Sequence, residues 1–287
     1  MLCVGEKEEV KALKKNRVIA AILIGMMATT CVSCELIDSS LVKLGLRNED
    51  FDYVKNNKVD KIVIQSARDT AFRFIVTDEN AIQDIYEILR NGKIKDTKTD
   101  LQPDYTFEVY YGEEVKKYSY VAYLEDSDVG NFYDENKSYY VSKNLDQKIL
   151  QNLSFIRKTK DFDKIYYDSI LEVLKVEKDN LTGQKVGINL TGDVDCLKYI
   201  FAVDLENFKK DIKDVISTAS LVENNEGNYD TVVKVQNKGY SSKIFKTTVI
   251  VDNKKSKIYR TYYVQGNYEH SEWNIAVSEP DKKPNDW

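Results

Sequence analysis

The sequence predicts an α+β fold of two tandem domains, each an antiparallel sheet of about four to five strands with one or two packed helices. Three observations lead there. Short runs of alternating apolar and polar residues recur along the chain, the pattern of half-buried strands. Each half interrupts that alternation with a stretch of helical periodicity. The order strand, strand, helix, strand, strand then occurs twice, about 125 residues apart. That spacing suits tandem domains and not a solenoid, whose units are ~20–50 residues.

The first domain is placed at residues 59–158. DKIVIQ (60–65) and AFRFIV (71–76) alternate on either side of a polar turn. Thr77 or Asp78 can cap the helix that follows, in which Ile82, Ile85, Ile88 and Leu89 fall on one face and Asn91-Gly92 marks the stop. YTFEVYY (105–111) and KKYSYVAYLE (116–125) read as a hairpin about Gly112-Glu113. SYYVS (138–142) is a further strand, and residues 146–156 form a closing helix through Ile149, Leu150, Leu153 and Ile156.

The second domain, residues 159–277, is expected to repeat the first. QKVGINL (184–190) stands for the first strand, LKYIFAV (197–203) for the second and LENFKKDIKDVIS (205–217) for the helix. YDTVVKV (229–235) comes next, then a hairpin of IFKTTVIVD and SKIYRTYYV across residues 253–255. Residues 163–179 fit a linking helix through Ile165, Tyr166, Ile170, Val173 and Leu174, or a strand through Leu171, Val173 and Lys175. The tail, residues 278–287, is expected to be disordered.

Ahead of these domains lies a segment with an address. Residues 11–17, KALKKNR, are basic, and Val18–Val32 is an uncharged, mostly apolar run of fifteen residues. As a helix that run would span about 22 Å, short for a ~30 Å hydrocarbon core. A basic flank, a short apolar stretch and a small residue before the cut mark an export signal. Val32, Ser33 and Cys34 match the last three places of the bacterial lipoprotein lipobox, with Cys31 where that pattern usually has Leu. The resemblance implies a signal peptide over residues 1–33, cleavage between Ser33 and Cys34, and acylation of Cys34 as the mature N-terminus. Two acyl chains supply the stable membrane attachment that one cannot. The basic flank then lies on the cytoplasmic side and the body outside. Residues 34–58 read as a polar stalk. Cys31-x-x-Cys34 has the spacing of a redox or metal pair, but its apolar surroundings offer no second pair and no strand–helix context.

Composition narrows the function. Residues 34–287 hold 37 Lys/Arg and 44 Asp/Glu, a formal charge of −7, with no clustered basic run for nucleic acid. The mature body keeps one thiol, Cys196, expected to be a buried apolar residue. The one histidine, His270, leaves little room for a His-based nucleophile or zinc centre, and no glycine-rich phosphate loop occurs. Residues 125–135 begin like an EF-hand loop with Asp126 and Asp128, then place Gly130 and Lys137 where ligands are required. They and GDVDC (192–196) are expected to be solvated loops. No catalytic, metal or cofactor residue is assigned.

Tyrosine is the remaining signal, with 20 in the chain. Tyr105, Tyr118, Tyr120, Tyr139, Tyr262 and Tyr263 fall on adjoining strands and form the candidate binding face. Tyrosine also suits half-buried strands for packing reasons alone, where cross-strand pairs add ~0.2–1 kcal/mol each.

The stretch IVTDENAIQDIYEIL, a polar loop and QPDYTFEVYYG (102–112) resemble the YhfM-like domain of small lipoproteins from Gram-positive bacteria. Ile75–Asp78 and Pro103-Asp104-Tyr105 carry the likeness, over about 100 residues; the second half keeps only Asn228-Tyr229-Asp230. The resemblance implies no particular activity. The expectation is a lipid-anchored extracytoplasmic protein, held to the membrane through Cys34, that binds a protein or cell-wall ligand without catalysis. The alternatives are a hydrolase with an unassigned carboxylate site and a solute-binding protein of a transporter.

Overall fold

Two sheets organise the chain in the computed structural model, which describes residues 40–55, 58–152, 159, 161–223, 225–285 and 287. Cys34 and the rest of the leader, on which the lipobox expectation falls, lie outside the described residues. The architecture is mixed α+β, with sheets larger than the sequence suggests.

The first sheet has seven antiparallel strands: β1 (Lys61–Ser66), β2 (Arg73–Val76), β3 (Lys93–Lys95), β4 (Tyr105–Tyr111), β5 (Glu114–Tyr120), β6 (Phe132–Tyr133) and β7 (Ser138–Tyr140). Their order is β2-β1-β4-β5-β6-β7-β3. Alternation does the sorting: Ile62, Ile64, Tyr105, Phe107, Val109, Tyr118, Tyr120 and Phe132 all turn into one core. Helix α1 (Glu79–Arg90) closes that core with Ile82, Ile85, Tyr86 and Leu89. Asp78 caps it as expected, its side chain accepting a hydrogen bond from the Ala81 N–H at 2.9 Å. Helix α2 (Asn144–Asn152) adds Leu145 and Ile149.

The expected stalk is in part a component of this domain. Phe51 and Val54 are core residues. The Asn48 amide donates to the carbonyls of Leu89 at 3.0 Å and Gly92 at 2.8 Å, tying this segment to the end of α1 and the turn after it. A mostly polar stretch hid two large apolar anchors and a side-chain tie.

The second sheet has six strands: β8 (Val186–Asn189), β9 (Ala219–Leu221), β10 (Thr231–Tyr240), β11 (Ile244–Asn253), β12 (Ile258–Glu269) and β13 (Glu272–Val277), ordered β13-β12-β11-β10-β8-β9. Residues 163–179 resolve as helix α3 (Phe162–Val176) and a further turn, Lys178–Leu181. Phe162, Ile165, Tyr166, Ile170, Val173 and Leu174 are buried, so α3 is covered on most sides. At Gly266 the sheet makes room for it: a Cβ there would collide with Ile165 Cδ1.

The second sheet is not a copy of the first. LKYIFAV forms no strand; it makes a 3-10 turn at Leu197–Tyr199 and then starts helix α4 (Ala202–Val215). With a helix between them, β8 and β9 pair in parallel, and β8 is also parallel to β10. In the first sheet the short turn after β1 forces an antiparallel hairpin instead. The two halves share apolar periodicity, not topology.

The C-terminal tail is ordered where the sequence suggested disorder. Asp281 exchanges backbone and side-chain hydrogen bonds with Thr261, and Ser278 does so with Tyr263. Trp287 packs edge-on against the Tyr263 ring at 4.9 Å. Polar composition concealed a strand-like partner for β12.

Candidate functional site

The Pro-Asp-Tyr segment that opens β4 places one carboxylate at the junction of the two halves. Asp104 Oδ2 accepts from the Ala122 N–H at 2.9 Å, just past the end of β5. Its Oδ1 accepts from the Arg68 guanidinium and from the Ala202 N–H at 2.8 Å. Ala202 is the first residue of α4, whose N-cap residue Phe201 supplies no side-chain cap. A carboxylate from the first half therefore satisfies an open donor of a helix in the second, at the end where the dipole favours negative charge. Burial pushes the Asp104 carboxyl upward, against the opposing pull of Arg68 and the two backbone donors.

Beside this node the two halves enclose a cleft of about 780 Å³. The loop after β5 contributes Tyr123, Leu124, Glu125 and Asp126. The facing wall comes from Asp163 of α3, Tyr199, Phe201, and Val203, Asp204, Asn207 and Lys210 of α4. The walls thus carry four carboxylates to one lysine, with aromatic rings between them. Tyr123 and Phe201 meet edge-to-face across the junction at 4.9 Å. Tyr123 has a positive φ of 57°, uncommon for an aromatic residue, and is held there by its N–H bond to Asp146 Oδ2 at 3.2 Å.

Asp146 sits behind that loop. Its other oxygen accepts the Tyr120 hydroxyl at 2.6 Å. Burial pushes its carboxyl up to about 6, partly offset by these two donors. Asp104 and Asp146 are both buried and spent on structural bonds, and neither lines the cleft. The buried Tyr167 hydroxyl lacks a hydrogen-bond partner among the described residues and lies within electrostatic reach of Asp204 and Asp163.

The residues singled out from sequence are distributed otherwise. Tyr105, Tyr118, Tyr120, Tyr139 and Tyr262 are core residues, and only Tyr263 is partly exposed, where Trp287 covers it. The expected tyrosine face is therefore not a surface: the inward positions of the alternating strands took the rings. Tyr120 and Tyr139 spend their hydroxyls on Asp146 and Asp50. Tyr262 gives its hydroxyl to Glu177, a buried carboxylate also gripped by Arg260 at 2.9 and 3.0 Å. Cys196 is buried as expected, and its thiol is pushed upward by desolvation and by Asp193. Asp193 is no solvated loop residue: it is buried and accepts from the Asn237 N–H at 2.9 Å. In the other acidic loop Glu125, Asp126 and Asp128 are exposed, but Asn131, Phe132 and Tyr133 are buried and carry β6. His270 is exposed on the β12–β13 turn. Among the described residues no group of three or more His, Cys, Asp or Glu side chains is placed to hold a metal ion.

The family model described as YhfM protein matches from Lys55 to Thr159. Residues 55–159 form a YhfM family domain. It takes in the first sheet, Asp104 and the Tyr123–Asp126 wall of the cleft, while the wall from α3 and α4 lies beyond it. No curated protein and no solved structure matches the chain. The YhfM domain thus reaches outside its own boundary through Asp104. In the sequence, Pro-Asp-Tyr stands out as a motif but reads only as a turn before a strand.

Proposed function

We propose that the chain is an extracytoplasmic lipoprotein, held on the cell membrane through acylated Cys34, that works by binding at the cell surface and not by catalysis. The cleft between the YhfM domain and α4 carries the reading. Its volume is that of a ligand site. Its rings and its excess of carboxylates suit a cationic group, such as an amine borne by a protein or a wall component, because a cation gains from both. The buried acids with raised proton affinity, Asp104 and Asp146, are engaged by backbone and side-chain donors, which leaves them poorly placed for acid–base work.

A photo-crosslinking residue at Asn207, in the full chain on intact cells, tests this. The expected result is a discrete crosslinked partner at Asn207, absent when the same residue replaces exposed Val194, and reduced at least several-fold by Asp204→Lys. Identical products from both positions would refute the cleft as the binding site.

A further inference from the structure

Residues 42–50 and one edge of the YhfM domain together form a basic and apolar face on an acidic protein. The segment from Val42 to Asp50 lies against the end of α1 and the edge strand β3, and together they form a shallow groove that also includes Lys137. Leu44, Leu46 and Ile94 are exposed there, at 71%, 53% and 61%. Around them stand Lys43, Arg47, Lys93, Lys95 and Lys137, against Glu49 and Asp50. The Asp50 carboxylate is turned to Lys137 and the Tyr139 hydroxyl. The patch is net positive on a body whose formal charge is −7.

Chain length fixes where this face sits. Ser40 is six residues from Cys34. Even fully extended, six residues reach only about 20 Å. An anchor at Cys34 would therefore hold Ser40 within that distance of the lipid, and the groove begins two residues further on, at Val42. Exposed apolar side chains ringed by lysines match the boundary of an anionic bilayer, which attracts basic residues held near its surface.

We infer that this face docks on the surface of the bilayer that holds the anchor, with Leu44, Leu46 and Ile94 at the headgroup level and the basic side chains among anionic headgroups. The inference rests on the proposed acylation of Cys34. It gives the protein a fixed orientation, the YhfM domain lying down on the membrane and not swinging on a tether.

The test uses the full acylated chain in vesicles of phosphatidylglycerol and phosphatidylcholine containing brominated lipid. Sedimentation reads anchoring, and quenching of a tryptophan introduced by Leu46→Trp, Ile94→Trp or, as the distant control, Val194→Trp reads orientation. Expected are quenching at 46 and 94 but not at 194, and at least a threefold loss at 94 when Lys93→Glu and Lys95→Glu are added or phosphatidylglycerol is left out. Sedimentation with no more quenching at 46 and 94 than at 194 would overturn the docking and leave the anchor standing. Failure to sediment would remove the anchor reading and the inference with it. Should the strand variant at 94 misfold, Leu44→Trp gives the same readout outside the sheet.

Discussion

Asp104 Oδ1 lies 2.8 Å from the backbone nitrogen of Ala202 and caps, from within the YhfM domain, a helix that belongs to the other sheet. The same carboxylate holds Arg68 and the Ala122 N–H. Replacing it opens several donors at once. Asp104→Ala is expected to cost about 2–4 kcal/mol, since it strands two backbone donors and a largely buried guanidinium. Urea unfolding measures the loss, and hydrogen exchange locates it. If the first-turn amides of α4 exchange no faster in the variant, Asp104 is not the cap.

Asp146 makes a prediction about pH. Burial raises its carboxyl to about 6 from an unfolded value near 3.8, so the folded protein binds this proton more tightly than the unfolded chain does. Its contribution is fully present below about pH 4 and is lost as pH rises through about 6, with a ceiling of about 3 kcal/mol. The stability difference between wild type and Asp146→Asn, compared at pH 4.5 and 7.5, should shift toward the variant at the higher pH. The difference cancels the groups that titrate the other way, such as Glu108 and Glu226, which their lysine and hydrogen-bond partners hold low. A pH-independent difference would rule this account out.

Arg260 and Glu177 predict an asymmetric pair. Glu177 is fully buried, whereas Arg260 is about a third exposed, at 29%. Arg260→Ala leaves a buried charge whose remaining donors among the described residues are Tyr262 and Asn180, and should cost about 3 kcal/mol. Glu177→Gln with Arg260→Ala should recover a large part of that loss. Equal instability of the single and double variants in thermal melts would contradict it.

Gly266→Ala drives a methyl group into Ile165, where α3 rests on β12. The expected cost is about 1–3 kcal/mol. Adding Ile165→Val should return part of it, because the crowding atom is the Ile165 Cδ1 methyl. Additive losses in the double variant would mean that the crowding lies elsewhere.

Range in sequence decides which features were legible before the fold was known. Asp78 capping α1, the β4–β5 hairpin and the β11–β12 hairpin rest on neighbouring residues, and the structure has them where the pattern put them. LKYIFAV misled because an apolar run has the same composition in a strand as in a turn feeding a helix. The tyrosines misled because alternation gives two faces without saying which is inside. The cleft was out of reach for another reason: its walls stand some 40 to 80 residues apart in sequence, and nothing local to Glu125 or Asp204 announces the meeting. The one trace was Asp104, in a motif noticed for its turn.

The last ten residues have a consequence for the protein's solubility. β13 ends at Val277, yet β12 runs back to Ile258, and the tail continues beside it through Ser278 and Asp281. An uncovered strand edge is a template for another chain, and proteins blunt such edges with polar or charged cover. The tail provides that cover, with Glu279, Asp281, Lys282 and Lys283 outward and Trp287 clasping Tyr263. A chain cut after Val277 would keep its core but offer β12 to its neighbours, and would be expected to self-associate.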